Sequence, residues 1–219
     1  MDFESARRNM VEGQIRPNRV TDSLLLSALA EVPREAFVPE ALKSIAYVDD
    51  DLAVGGGRHL MKPVVLARLI QEARVKPTDV VLQIGCGAGY AAAVLARMAS
   101  TVVALESDAG LAKRAADTLS GLGIDTVAIV EGPLEKGYPE QSPYDVIFFS
   151  GAIGEISPAI ADQLVEGGRL VAVVDGPGGG PGKAVLATRL VGGLLGSREV
   201  FDANVAPLPG FARAPAFAF

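Results

Sequence analysis

The chain holds one cysteine and one histidine among its 219 residues. A lone Cys86 rules out an intrachain disulfide and a cysteine-rich zinc site, and a lone His59 rules out a multi-histidine metal site within one chain. No apolar run reaches membrane-spanning length, although 49% of the residues are hydrophobic. A basic cluster is also missing. The net charge of −6 argues against non-specific binding to nucleic acid or anionic membrane. Residues 1–16 are polar and mixed in charge, unlike a secretory signal. What is left is a soluble globular protein for which a reducing cytoplasm fits. Its length suits one domain with a sizeable core, with or without a small extension.

The texture of the chain changes near Pro77. Residues 1–76 read as a helical extension with a substrate loop. Thr21-Asp22 caps a helix through Leu24, Leu25, Leu26, Ala28 and Leu29. Pro33 and Pro39 break the next stretch into short pieces. Gly55-Gly56-Gly57 marks a flexible loop, and Pro63 starts a helix running to Ala73. Residues 77–219 alternate strand and helix. Strands are expected at Val80–Ile84, Thr101–Glu106, Thr126–Val130, Asp145–Ser150 and Arg169–Val174. Helices are expected at Ala88–Met98, Ala109–Ser120 and Pro158–Leu164, with Asp108 and Ser157 as caps and Gly121 as a stop. Such alternation implies an α/β fold, a doubly wound, mostly parallel sheet covered on both faces. Ala184–Leu190 and Ser197–Val205 read as a late antiparallel pair. Gly176–Gly182 reads as a mobile turn; it fails the phosphate-loop pattern, having Pro177 in place of a glycine and Ala184 after Lys183.

The most informative stretch is Val80–Tyr90, VVLQIGCGAGY. A buried strand runs into three alternate glycines, Gly85, Gly87 and Gly89, and then into a helix. Glycines let the backbone turn sharply and approach a ligand closely. The next strand ends in Glu106, 21 residues after Gly85, where an acid can hold two ribose hydroxyls. A dinucleotide fingerprint would need a glycine at position 90, where Tyr90 stands, so a nicotinamide-dependent oxidoreductase is disfavoured. His59 is a candidate general base whose bland reading is a surface residue. Cys86 reads as a small packing residue, and Phe211, Phe217 and Phe219 as cover for the core edge.

These residues together resemble the protein-L-isoaspartate O-methyltransferase family. The likeness runs through Val32–Pro39 (VPREAFVP), Ala46-Tyr47, Leu82–Tyr90, Ala92–Ala96, Val103–Glu106, Pro143–Ile147 and Gln163 to Leu170. It implies a Rossmann-like methyltransferase fold that binds S-adenosylmethionine and releases S-adenosylhomocysteine. It also implies that Gly85, Gly87 and Gly89 line the methionine half, with Gln83 before them and Tyr90 after. Glu106 would hold the ribose, and Gly132-Pro133-Leu134 would meet the adenine. The implied partner is an isoaspartyl protein or peptide, whose methyl ester then cyclises unaided.

Three positions depart from the family pattern. A Thr-x-Ser element in the loop before Pro63 is replaced by His59 and Met61, and a thioether cannot donate the serine's hydrogen bond to a substrate carboxylate. Gln83 stands where an acid is usual. Pro133 stands where an aspartate contacts the adenine amino group, and offers neither acceptor side chain nor N–H. Methyl transfer to an ionised carboxylate needs no general base, so alignment and exclusion of water carry the reaction. Two readings stay open: an isoaspartyl-repair methyltransferase, with His59 as a substitute donor, or a cofactor-binding protein that has lost catalysis and acts through a partner.

Overall fold

The structure, a computed structural model, describes residues 2–176 and 180–211. The chain opens with helix α1 (Phe3–Met10), which continues through a π-turn (Val11–Ile15) and a 3-10 turn (Arg16–Asn18). Helix α2 (Ser23–Glu31) follows, capped by Asp22, whose carboxylate accepts from the Leu24 and Leu25 amides. Two 3-10 segments, Arg34–Phe37 and Glu40–Ile45, occupy the proline-broken stretch.

The extension is not all helical. Strands β1 (Leu52–Gly55) and β2 (Arg58–Leu60) form an antiparallel hairpin where a flexible loop was expected. Gly55 faces Arg58 across a two-residue turn, and Gly56 and Gly57 have φ of 56° and 67°. Positive φ at both central positions suits the right-handed twist of a tight hairpin and requires residues without a Cβ. Helix α3 (Pro63–Ala73) then starts on its proline as expected.

The sheet begins at β3 (Val80–Ile84) and continues with β4 (Thr101–Glu106), β5 (Val127–Glu131), β6 (Tyr144–Ile153), β7 (Leu164–Val174), β8 (Lys183–Arg189) and β9 (Leu195–Asp202). Its order is β5-β4-β3-β6-β7-β8-β9. The first five are parallel, while β8 and β9 each pair antiparallel with the strand before. The order reverses between β3 and β6, which is the crevice where open α/β sheets place their ligands.

Helices α4 (Tyr90–Ala96) and α5 (Ala109–Gly121) make the crossovers on one face of the sheet. There Val81, Val102, Ala104, Val146 and Phe148 join a core shared with α2, α3 and α4. The other face is covered more thinly. The link from β5 to β6 uses 3-10 turns (Leu134–Lys136 and Pro139–Gln141), and α6 (Pro158–Ala161) is one turn long. Leu82, Ile84, Leu105, Ile147 and Phe149 pack there against Leu134, Leu208 and Phe211. Phe211 meets Phe149 edge to face at 5.5 Å and so covers the core edge. Phe217 and Phe219 lie outside the described residues, as do residues 177–179 of the glycine-rich turn.

Smaller corrections follow from local chemistry. Ser157 makes no side-chain cap to α6, whereas Asp108 caps α5 through the Leu111 amide. Gly121 lies inside α5, and the left-handed residue after it is Gly123. The extension is tied to the sheet by Arg169, which donates to the Ala73 and Arg74 carbonyls at the end of α3 and pairs with Asp79. No helix among the described residues is long and apolar enough to cross a membrane.

Candidate functional site

The glycine turn leaves β3 at the sheet's C-terminal edge. Gly85 has φ of 76°, a conformation that disfavours any side chain. Its amide and that of Cys86 donate to the Leu105 carbonyl, so the turn is stitched to the end of β4. Gly89 serves packing instead. It precedes α4 with φ of 97°, and a Cβ on it would sit 3.1 Å from the Ala115 Cβ of α5. The close approach of α4 and α5 thus depends on Gly89, and this glycine does not line the cavity beside the turn.

Glu106 is fully buried at the tip of β4. One carboxylate oxygen, Oε2, accepts from the Gly87 amide at 2.7 Å. The other accepts from the amides of Ser107 at 2.8 Å and Asp108 at 3.2 Å, and from the Ser107 hydroxyl at 3.3 Å. Glu106 is therefore no surface acid. It welds the glycine turn to the start of α5.

A small cavity of ≈20 Å³ sits at the turn, lined among others by Gly85, Cys86, Gly87 and Ala88 below and by Val54, His59 and Met61 above. The upper wall is the β1–β2 hairpin. A neighbouring cavity of ≈10 Å³ is lined by Asp51, Arg58, His59, Met61 and Ser150, with residues 151, 205 and 206 behind. The two share His59, Met61 and Ser150, which brings both substrate-loop positions to one boundary. His59 is exposed there, and Met61 is buried. The Met61 carbonyl is held at 2.9 Å by Arg34, a fully buried arginine that also donates to the Ala46 carbonyl at 2.7 Å. Burial pushes the Arg34 pKa down and the neighbouring Tyr90 phenol opposes that shift; the Tyr90 ring lies 4.9 Å from the guanidinium.

Gln83, also fully buried, donates its Nε2 hydrogen to the Ser150 hydroxyl at 2.7 Å. Its Oε1 has no partner among the described residues. Tyr90 follows the turn but does not line the cavity. Its ring is packed edge to face on Phe37 at 5.6 Å, beneath Arg34, so the side chain belongs to the core of the extension. Gly132 donates its amide to the Glu106 carbonyl at 3.0 Å, which sets residues 132–134 beside the tip of β4. Leu134 turns its side chain into the second core, and Pro133 begins the 3-10 turn there. Cys86 is buried, and burial pushes its thiol up to about 12, which fits a packing role and not a nucleophile.

Two residues at the site escaped the sequence reading. Ser150 ends up at the crevice because β6 runs beside β3 and extends past it. Arg58 reaches into the turn from the hairpin; its signal was a cation directly after a Gly-Gly pair that fits a hairpin tip.

The residues present fit a nucleoside-bearing ligand in kind. A carboxylate stands at the end of β4, bare backbone at the end of β3, and an unpartnered buried amide oxygen beside them. The cavity at the turn, ≈20 Å³ among the described residues, is smaller than the about 300–1,000 Å³ of such pockets.

Comparisons with known proteins agree with this geometry. The family model described as protein-L-isoaspartate(D-aspartate) O-methyltransferase matches residues 5–183. A protein-L-isoaspartate O-methyltransferase of Methylorubrum extorquens (strain PA1) is 43% identical over 178 residues, which is 81% of this chain and 78% of that protein. One from Roseiflexus sp. (strain RS-1) is 36% identical over 210 residues, 96% and 94% of the two chains. A solved protein-L-isoaspartate O-methyltransferase superposes with a TM-score of 0.83 at 27% identity, over 93% of this chain and 66% of that one. A Plasmodium falciparum structure, described as a complex with S-adenosyl-L-homocysteine, shares the fold with a TM-score of 0.77 at 20% identity, over 92% and 97%. By the family match over residues 5–183 and relatives 36–43% identical over most of its length, this chain belongs to the protein-L-isoaspartate(D-aspartate) O-methyltransferase family.

Proposed function

We propose that the protein is an S-adenosylmethionine-dependent methyltransferase that esterifies the carboxylate of isoaspartyl residues in damaged protein or peptide. The observation that carries this reading is the buried carboxylate of Glu106 beside the Gly85–Gly87 turn, at the point where the strand order reverses. S-adenosylmethionine bound there would supply a methyl group on a sulfonium: an acceptor carboxylate oxygen would bond to the methyl carbon as the C–S bond breaks in line, leaving S-adenosylhomocysteine as the neutral thioether.

The chain's own residues have four tasks in that reaction. Glu106 accepts hydrogen bonds from the ribose hydroxyls. Gly85 and Gly87 offer backbone that a methionyl chain can approach closely. Gly132-Pro133-Leu134 border the adenine side through backbone and the Pro133 ring. His59, Met61 and Ser150 face the acceptor at the boundary of the two cavities. No residue is needed to remove a proton, because the acceptor is already an anion. The hairpin excludes water, which keeps an anionic nucleophile reactive.

Met61 offers no hydroxyl to the acceptor. Ser150 supplies one. Its oxygen accepts from Gln83, which leaves its own hydrogen free to donate to a carboxylate. We assign the acceptor contact to Ser150 together with His59. A cytoplasmic location belongs to this reading, supported by a sole cysteine held as a buried thiol.

The test pairs calorimetry of S-adenosylhomocysteine with transfer of labelled methyl to an isoaspartyl peptide. Binding with transfer supports the reading. Binding without transfer supports the alternative, a family member that holds the cofactor but acts through a partner, for which Met61 and Pro133 are the motivating residues.

A further inference from the structure

Arg58 is the least expected residue of the site. It projects from the first position of β2 and is 4% exposed. Its Nη2 donates to the Gly85 carbonyl at 2.7 Å. The same nitrogen lies 2.4 Å from the point where a Cβ on Gly85 would be, so the guanidinium fills the space that this glycine leaves open. Its Nε stands 3.5 Å from Glu106 Oε2, yet Nε makes no hydrogen bond among the described residues. A buried ion pair completed by only part of its hydrogen bonds is a poor structural element, because desolvation offsets most of the attraction. Arg58 thus lies against both features assigned above to the cofactor: the glycine backbone and the ribose-binding acid.

We propose that Arg58 is a positioning residue that stands in for the cofactor: it neutralises buried Glu106 while the cleft is closed, and it must be displaced before an adenosyl ligand can seat. This rests on the cofactor reading above. One observation supports displacement directly. The space left at the turn, ≈20 Å³, is far below that of a nucleoside site. The hairpin that carries Arg58 is itself anchored by Leu52, Val54 and Leu60, which are buried in the first core, so displacement falls on the Arg58 side chain. Beyond Arg58 itself, Arg114 donates to the Val54 carbonyl at 2.6 Å, and Gly56 rests on Asp108, whose Oδ2 would lie 2.9 Å from a Cβ there.

Removing this arginine from the site must therefore tighten ligand binding. Arg58→Gln and Arg58→Ala are titrated with S-adenosylhomocysteine by calorimetry, beside the unaltered protein and with the fold checked by circular dichroism. Both variants are expected to bind about tenfold tighter, the equivalent of one charged hydrogen bond no longer broken on binding. Arg58→Lys keeps a cation for Glu106 and should fall between them and the parent. A second readout is protease cleavage within residues 52–60, which S-adenosylhomocysteine should change in the parent more than in Arg58→Gln. Binding that is weaker or unchanged in folded Arg58→Gln overturns the proposal and makes Arg58 a direct ligand contact or a structural pair. If the unaltered protein and all variants ignore S-adenosylhomocysteine, the cofactor reading itself has failed, a result distinct from the other.

Discussion

Replacing Arg34 with methionine isolates what a buried arginine does for this site. The side chain is fully buried, and its Nε and Nη2 hydrogens hold the Ala46 and Met61 carbonyls. Methionine restores most of the volume without polar atoms. Two effects compete. Removing the guanidinium relieves a desolvation penalty of several kcal/mol. It also orphans two buried carbonyls at about 1–3 kcal/mol each and deletes the contact with Tyr90, worth about 2 kcal/mol when desolvated. The loss outweighs the relief, leaving a net destabilisation of about 2–4 kcal/mol. Urea unfolding followed by circular dichroism reads this directly. With a slope of roughly 2–3 kcal/mol per molar, the midpoint should fall by about 1 M. The substrate loop should loosen as well, since Met61 loses its backbone anchor, so the KM for acceptor should rise more than kcat falls. A midpoint within about 0.2 M of the parent, at unchanged slope, would show that Arg34 is passive filler.

Four further outcomes are expected. Glu106→Gln should weaken S-adenosylhomocysteine binding by about 1–3 kcal/mol in calorimetry, because an amide nitrogen replaces one carboxylate oxygen that would accept from the ribose; full affinity would detach Glu106 from the ribose. Ser150→Ala should raise the KM for isoaspartyl peptide while leaving S-adenosylhomocysteine affinity in place, and an unaltered KM removes the acceptor contact assigned to it. His59→Ala should leave stability within about 0.5 kcal/mol, since the residue is exposed, but slow methylation; identical kinetics would make His59 a bystander. Cys86 should resist alkylating reagents at pH 8 in the folded protein, because burial holds its thiol at about 12. The unfolded thiol ionises near pH 9, so the unfolded chain binds fewer protons than the folded one above that pH, and stability should fall as pH rises from about 9 towards 12. Cys86→Ala should flatten that slope, and a slope unaffected by the substitution would assign it to the buried tyrosines Tyr47 and Tyr144, whose ionisation is also pushed up by burial.

The sheet was legible because its strands are buried on both faces and so read as unbroken apolar runs: β3 and β4 match the expected residue limits. Strands β6 and β7 fared nearly as well, running longer than expected because pairing continues past the apolar stretch. The β1–β2 hairpin was missed. Its strands are three and four residues long, too short for alternation to register, and only the Gly-Gly turn announces them. Within the turn, Gly85 and Gly87 left a sequence signal because the backbone there takes positive φ. What could not be read was direction. Tyr90 follows the turn in sequence yet points into the core on Phe37, and Gly89 serves the contact of α4 with α5. Arg58 and Ser150 reach the site through the hairpin fold and the β3–β6 pairing, both products of tertiary structure with no spacing rule behind them.

The most direct measurement incubates the purified protein with methyl-labelled S-adenosylmethionine and two peptides of one composition, one containing an isoaspartyl and the other an aspartyl linkage. Base-labile label on the isoaspartyl peptide alone is the predicted result. Label on neither peptide, from a folded protein that shows no heat of binding with S-adenosylhomocysteine, would contradict the assignment of the β3–β4 edge to an adenosyl sulfonium compound.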